Sequence, residues 1–155
     1  MCVAMAHSLS QQGRKVALFK PFHLQAQAGE TDADGQILRQ AANVQGPDTT
    51  PWPMALSQDG DLRRLPVEQA LEAFGEATTG ADVAIVEGLS GLADSIGSVS
   101  NHLAGKMDAL VVVVIGYTLD LAVEDVLRAK LIFGDKLAGV VINGVTRYHL
   151  RETKT

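Results

Sequence analysis

Residues 110–115 read Leu-Val-Val-Val-Val-Ile, and this unbroken apolar run is the strongest strand pattern in the chain. A strand without polar residues is typical of a parallel sheet whose two faces are both covered by helices. The runs at 83–86 and 137–142 have the same character. We therefore predict an α/β fold built on a doubly wound parallel sheet.

Helical patterns alternate with these strands, as the layers of an α/β fold require. Residues 15–19 predict a further buried strand, which ends before Pro21 because proline lacks the N–H that a central strand donates. Between the strands, apolar spacings of three and four predict helices. The predicted helices cover residues 1–12, 32–42, 66–78, 95–106 and 121–133, and residues 23–31 and 43–66 are expected to be loops.

The helices should pack their apolar sides against the sheet. Val3, Ala6 and Leu9 recur at spacings of three in the first helix. Gly13 follows at the position where a helix often ends in a left-handed residue. The last helix should present its apolar residues on or beside its buried side. These residues are Val123, Val126, Leu127, Ala129 and Leu131.

The composition excludes several classes of protein. The chain has 155 residues, a formal net charge of −5 and 46% hydrophobic residues, which fits one globular domain and argues against intrinsic disorder. The single cysteine, Cys2, excludes a disulfide framework. A sequence pI near 5.2 disfavours nucleic acid as a partner.

No segment has the pattern of a membrane anchor or an export signal. The longest apolar stretch, residues 109–115, is far shorter than the roughly 20 residues of a spanning helix. The first residues lack the cationic region of a secretory signal. We therefore expect a cytoplasmic protein that has no membrane partner.

Polar and glycine residues stand where the predicted strands end. Lys20 follows the first strand, Glu87 and Gly88 follow the second, and Asn143 follows the last. Ligands of parallel sheets bind outside the carboxyl ends of the strands, so these residues are the candidate site. A lysine there suits a phosphate or a carboxylate, and the alternative is a solvated lysine in a turn. An asparagine amide matches the edge of an adenine, although the spacing alone favours an Asn-Gly turn.

Three acidic residues are candidate metal ligands: Glu87, Asp32 and Asp34. A carboxylate at a strand end can hold Mg²⁺ beside nucleotide phosphates, and a glycine at 88 lets the backbone approach closely. One of the two aspartates can supply a second ligand, and the pattern does not choose between them. The alternatives are an exposed loop carboxylate at 87 and helix capping by the aspartates, which the helix dipole favours.

Three stretches resemble the dethiobiotin-synthetase-like P-loop proteins. Residues 13–21, Gly-Arg-Lys-Val-Ala-Leu-Phe-Lys-Pro, resemble the family's strand after the P-loop helix. Residues 82–92, Asp-Val-Ala-Ile-Val-Glu-Gly-Leu-Ser-Gly-Leu, are similar to its Asp-x-x-x-Val-Glu-Gly-x-x-Gly strand and turn. Residues 139–145, Gly-Val-Val-Ile-Asn-Gly-Val, resemble the strand whose asparagine reads the adenine.

One branch of that superfamily fits better than the biotin enzyme itself. Residues 120–143 are similar to a stretch in the domain at the N-terminus of some phosphotransacetylases and of DRTGG-domain proteins. The resemblance covers nearly the whole chain, and this long stretch is its most specific part. The chemistry of the superfamily is phosphoryl transfer from ATP to a carboxylate or carbamate, whereas the phosphotransacetylase-associated branch looks regulatory.

The resemblance implies a domain that binds ATP and Mg²⁺. It assigns Lys20 as the catalytic lysine that faces the phosphates or the acid substrate. It also implies that Glu87 and one of Asp32 and Asp34 hold the metal. Asn143 would read the adenine and Gly88 would line the nucleotide site. A homodimer and a C-terminal partner domain are the protein partners that the resemblance leaves open.

One departure from the family is large, because its first strand and its P-loop, Gly-x-x-x-x-Gly-Lys-(Ser/Thr), are absent. That loop cradles phosphates with backbone N–H groups and a lysine. We expect a truncated or misassigned start, with real loss of the loop as the alternative, and weak or no ATP hydrolysis. Residues 1–146 are assigned to one incomplete domain and 147–155 to a polar tail. The alternative function is a non-catalytic regulatory or partner-binding module.

Overall fold

The computed structural model describes residues 1–25, 33–43, 54–57, 65–91, 94–117 and 123–145. It divides into an N-terminal unit, Met1–Ser90, and a C-terminal unit, Gly91–Thr155, which are treated separately below. The expected boundary between the domain and its polar tail falls within 146–155, outside the described residues.

The N-terminal unit alternates short strands with helices. Its strands pair in parallel, β1 with β4 and β2 with β3. Val16 lies opposite Val83 and Phe19 opposite Val86, so β1 and β4 end side by side. The elements are α1 (Cys2–Gln11), β1 (Val16–Phe19), β2 (Phe22–Gln25), α2 (Ala33–Asn43), β3 (Met54–Ser57), α3 (Val67–Ala77) and β4 (Val83–Val86).

The core of this unit forms around β1. Leu18 packs with Ala6 of α1 and Leu38 of α2 in a buried apolar cluster. On the opposite face of the strand, the ring of Phe19 lies 5.6 Å from that of Phe74 on α3, in a tilted arrangement. Successive side chains of a strand point to opposite faces, so helices cover β1 on both sides.

The C-terminal unit contains a second parallel pair, β5 with β6, and the helices α4 and α5. A Cβ atom at Gly97 of α4 would lie 2.8 Å from Cδ1 of Ile132 on α5, so the glycine permits this close approach of the two helices. Ala129 and Phe133 are the buried residues of α5. The elements are α4 (Asp94–Lys106), β5 (Val111–Gly116), α5 (Val123–Phe133), a 3₁₀ turn (Gly134–Lys136) and β6 (Leu137–Asn143).

The structure confirms the predicted mixed α/β class with parallel strands. Each of the predicted strands and helices is present, with bounds that differ by at most two residues. Gly13 ends α1 with φ of +78°, in the left-handed region that the pattern predicted. The doubly wound order of the whole sheet stays a prediction, because the described strands form three separate pairs. Of the helices that are described, none is long and apolar enough to cross a bilayer.

Two predicted loops contain strands, so these predictions were wrong in part. Phe22–Gln25 and Met54–Ser57 form β2 and β3, which pair with each other in parallel. Phe22–Gln25 alternates apolar and polar residues, which is typical of a strand, whereas the first three residues of Met54–Ser57 are all apolar. Each segment is only four residues long, and Pro21 precedes the first one, so the sequence pattern alone favours a loop. Their mutual pairing supplies the hydrogen bonds that neither segment has alone.

The expected burial of the C-terminal unit was also wrong in part. Val112 and Val114 of β5 are exposed, although an entirely apolar strand suggested helices on both faces. Val123, Leu127 and Leu131 of α5 are exposed as well. The physical reason is that α5 turns Phe133 inward together with Ala129, whose burial was predicted, so its longer aliphatic residues form a separate outer stripe.

Candidate functional site

The candidate site begins where β1 and β4 end side by side. The backbone N–H of Glu87 donates to the carbonyl oxygen of Phe19 at 2.8 Å, which extends the pairing one step beyond the strands. At this step the Lys20 ammonium nitrogen lies 3.6 Å from Oε1 of Glu87. The structure therefore brings together two of the residues that the sequence selected at strand ends.

Lys20 is a buried lysine, with only 7% of its surface exposed. Phe19 before it and Phe22 after it are also buried. A buried charge is costly unless it is paired, and the carboxylate of Glu87, which is 28% exposed, provides the compensation. The structure thus excludes a solvated turn lysine at this position, whereas the catalytic role of Lys20 stays a prediction.

The opposite end of the same strand pair is fixed by Asp82. The backbone N–H of Lys15 donates to Oδ2 of Asp82 at 2.9 Å, and the N–H of Asp82 donates to the Lys15 carbonyl at 2.8 Å. Sequence reasoning noted Asp82 only as the first letter of a motif. Its contact holds β1 and β4 in register, and the register sets Lys20 against Glu87.

Cys2 is an unexpected neighbour of this pair. Burial raises the pKa of its thiol above the ordinary value, and the negative charge of Glu87 raises that pKa further. The sequence suggested a small apolar residue at this position and gave no link to Glu87. The spacing between Cys2 and Ala6, which share one face of α1, is the signal that could have placed the thiol toward the sheet.

The thiol offers a direct probe of the charge on Glu87. We expect Cys2 to react with iodoacetamide with a pH midpoint above the ordinary value of 9.0. In Glu87→Gln the midpoint should fall and the rate at pH 8 should rise, because a nearby negative charge is removed. Mass spectrometry of the alkylated chain measures both. An unchanged midpoint in a folded Glu87→Gln variant would contradict the inferred proximity.

Gly88 and Asn143 are both exposed at strand ends. A Cβ atom at Gly88 would meet no other atom within 4 Å, so protein packing does not require glycine there. The carbonyl oxygen of Asn143 accepts a hydrogen bond from the N–H of Tyr117 at 2.7 Å, and Gly144 follows with φ of +81°. The backbone thus forms the expected Asn-Gly bend, and nothing here assigns a ligand to the side chain.

The predicted aspartate ligands are not described well enough to be placed. Asp32 lies outside the described residues, and Asp34 belongs to the first turn of α2, with a side chain that is also outside them. In the part of the chain that the structure describes, no three His, Cys, Asp or Glu side chains come together as a metal site would require. Glu87 fits a Mg²⁺ ion held by one or two carboxylates, waters and substrate phosphates, but no all-protein cage is present among these residues.

Comparison with known families decides what kind of domain this is. A family model described as an AAA domain matches residues 1–154. The chain belongs to the AAA domain family. This family is P-loop NTPase-like and includes dethiobiotin-synthetase-like members, so the broader part of the resemblance is confirmed.

Membership indicates a nucleotide-binding domain, and AAA domains of the P-loop type generally bind ATP with Mg²⁺. A search of solved structures finds no significant match to this AAA domain. Among the candidate site residues that the structure describes, Lys20 and Glu87 form an ion pair.

Proposed function

We propose that this AAA domain binds ATP with Mg²⁺ and that Lys20 and Glu87 interact with the phosphate end of the nucleotide. The observation that supports this is the 3.6 Å ion pair at the carboxyl ends of two parallel strands. Parallel sheets bind their ligands at that edge. A nucleotide-binding family and a buried lysine at this edge together favour a phosphate ligand over a purely structural ion pair.

Lys20 supplies a positive charge whose position is fixed. Its neighbours Phe19 and Phe22 are buried, so the backbone on either side cannot shift without opening the core. A lysine held away from water interacts more strongly with an anion than one in bulk solvent. We propose that it neutralises either a phosphate of ATP or the carboxylate of an acid substrate.

Glu87 is the proposed metal ligand of this chain. Bound Mg²⁺ would neutralise charge that develops on the phosphates during transfer. The carboxylate fits that role because it is partly exposed and already lies at the ligand-binding edge. Either Asp32 or Asp34 is proposed as a second ligand by resemblance alone.

Asn143 and Gly88 are proposed nucleotide contacts that rest on the resemblance. The amide of Asn143 is exposed and offers one donor group and one acceptor, which suits an adenine edge. The open space beside Gly88 would let a ligand approach the backbone. The role of Asn143 is tested separately from those of Lys20 and Glu87.

We further propose that these 155 residues hydrolyse ATP weakly or not at all. The sequence contains no Gly-x-x-x-x-Gly-Lys-(Ser/Thr) stretch to cradle the phosphates. The finer relationship proposed is to the dethiobiotin-synthetase-like domain of phosphotransacetylases, in a cytoplasmic protein. Phosphoryl transfer to a carboxylate or carbamate is the reaction class that this relationship suggests.

The competing function is a non-catalytic regulatory or partner-binding module. The missing phosphate loop and the exposed apolar stripe on α5 favour it. Such a module would retain the fold and the Lys20–Glu87 pair for stability, and its affinity for ATP would be low.

Titration calorimetry with ATP and Mg²⁺ separates the two functions. For the nucleotide-binding domain we expect submillimolar affinity that falls about tenfold in Asn143→Ala, since one good hydrogen bond to a base is lost. Asn101→Ala, which removes an amide from α4, is the matched control and should bind as the wild type does. Millimolar or weaker affinity that is insensitive to Asn143→Ala would favour the module. Phosphate release faster than about 0.01 per second would contradict the proposed loss of activity, since kinases turn over at about 1–100 per second.

A further inference from the structure

The dipeptide Asn143-Gly144 stands where β6 ends, and both of its residues are exposed. The described register between β5 and β6 also ends here, with Asn143 opposite Gly116. The side-chain amide carbon of an asparagine can be attacked by the backbone nitrogen of the following residue, because the attack closes a five-membered ring. Asn143 therefore carries a group that its own chain can attack, at a residue that is open to solvent.

Gly144 leaves its backbone nitrogen accessible to that reaction. It has no side chain to shield the nitrogen, and a Cβ atom there would meet no atom within 4 Å beyond its chain neighbours. Its φ of +81° is one that glycine adopts without strain. The hydrogen bond that closes the β5–β6 ladder runs from the N–H of Tyr117 to the carbonyl oxygen of Asn143. This bond holds the carbonyl group and not the Gly144 nitrogen.

We propose that Asn143 is a site of spontaneous deamidation, which removes the adenine contact of this AAA domain. The modification itself depends only on the dipeptide and its exposure. Its effect on the nucleotide rests on the proposed function, in which the Asn143 amide reads the adenine edge. Water is the only co-reactant, so the fraction of modified chains increases with their age.

The reaction has two steps, and nothing is oxidised or reduced in either. The Gly144 nitrogen gives up its proton and attacks Cγ of Asn143. A new C–N bond forms, the bond from Cγ to Nδ2 breaks, and Nδ2 leaves as ammonia with a proton. Water then opens the cyclic imide at one of its two carbonyl carbons. Opening at one carbon gives an aspartate, and opening at the other gives an isoaspartate, in which the chain continues through the former side chain.

Both products lose the donor that an adenine edge needs. Adenine presents an amino group beside a ring-nitrogen acceptor, and an asparagine amide matches both. A carboxylate is ionised at neutral pH and only accepts, so it faces the ring nitrogen with a negative charge. In the isoaspartate, the carbonyl of Asn143 that accepts from the N–H of Tyr117 becomes part of the new carboxylate, so the end of the β6 ladder changes as well.

Asn101 provides an internal control for the position. It is followed by His102 and lies inside α4. N–H groups inside a helix donate to the carbonyl four residues earlier, so the nitrogen that would attack is held in the helix. His102 also carries a side chain beside that nitrogen. We therefore expect Asn101 to keep its amide while Asn143 loses it.

Ageing of the full chain at neutral pH and physiological temperature tests the modification. Samples taken over several weeks are digested with trypsin, and mass spectrometry follows the peptide of residues 137–147, which gains mass as NH is exchanged for O. We expect Asn143 to convert and Asn101 to stay intact. Asn143→Gln is the matched variant and should stay unconverted, because its longer side chain must close a less favourable six-membered ring.

Calorimetry with ATP and Mg²⁺ tests the consequence for the nucleotide. Asn143→Asp reproduces one product directly and should bind ATP at least about tenfold more weakly than the fresh chain, since one hydrogen bond is lost. In an aged sample, the fraction of chains that bind with the original affinity should fall by the fraction converted. Circular dichroism checks that the variants and the aged chain are folded.

Two results would overturn this inference. The first is an Asn143 that converts no faster than Asn101 in the folded chain. The second is an equal affinity for ATP of the fresh chain and of Asn143→Asp. A fresh chain that does not bind ATP would contradict the proposed function instead, and the mass measurement would still decide whether Asn143 deamidates.

Discussion

Replacing Lys20 by methionine is expected to weaken ATP binding about 10- to 100-fold, since a charge-assisted contact to the phosphates is lost. The same change should destabilise the fold by about 1–3 kcal/mol. Removing one partner of a fully buried ion pair costs about 3–5 kcal/mol, and the partial exposure of Glu87 reduces that penalty. Calorimetry and urea denaturation measure the two effects.

The double variant Lys20→Met/Glu87→Gln separates the binding role from the structural one. Neutralising both partners removes the unpaired charge, so much of the lost stability should return. ATP affinity should stay low, because neither the cation nor the metal ligand is restored. If ATP affinity recovered together with stability, Lys20 would be a structural residue only.

Truncating Phe22 to alanine is expected to cost about 3–5 kcal/mol of unfolding free energy. Phe22 is 1% exposed and is the largest fully buried side chain among the described residues, so its loss leaves a cavity in the N-terminal unit. A loss of this size is a large fraction of the about 5–15 kcal/mol that stabilises a typical domain. Urea denaturation followed by circular dichroism measures the difference.

Two further variants serve as controls for Phe22→Ala. Phe22→Leu keeps most of the volume and should cost about 1.5 kcal/mol or less. Ile37→Ala, at an exposed residue of α2, should change stability by no more than about 0.5 kcal/mol. Equal effects of Phe22→Ala and Ile37→Ala would mean that Phe22 does not belong to the core.

The elements that could be predicted were those with local signals. β1, β4, β5 and β6 could be predicted because each is an apolar run with turn residues beside it. Lys20 and Glu87 could be selected because the carboxyl ends of parallel strands meet at one edge. Their ion pair itself required the register between two distant strands, which no local pattern contains.

The features that could not be predicted depend on contacts between elements that are far apart in the sequence. β2 and β3 have weak patterns and are stabilised by each other. The apolar patterns of β5 and α5 predicted the strand and the helix correctly but predicted the burial of several side chains wrongly. A hydrophobic pattern does not specify which other element covers a given face. The effect of the Glu87 charge on the pKa of Cys2 also depends on tertiary packing, because α1 contacts both β1 and β4.

The irregular pairing of β5 and β6 bears on how this sequence tolerates deletions. Val111 lies opposite Leu137 and Val112 opposite Gly139, so Ala138 is an extra residue that bulges from the ladder. At any other position of β6, deletion of one residue would exchange the side chains between the two faces of the strand and move Asn143 to the other face. Loss of Ala138 would only straighten the strand. A one-residue gap among sequences of this kind is therefore expected at Ala138 before any other position of β6.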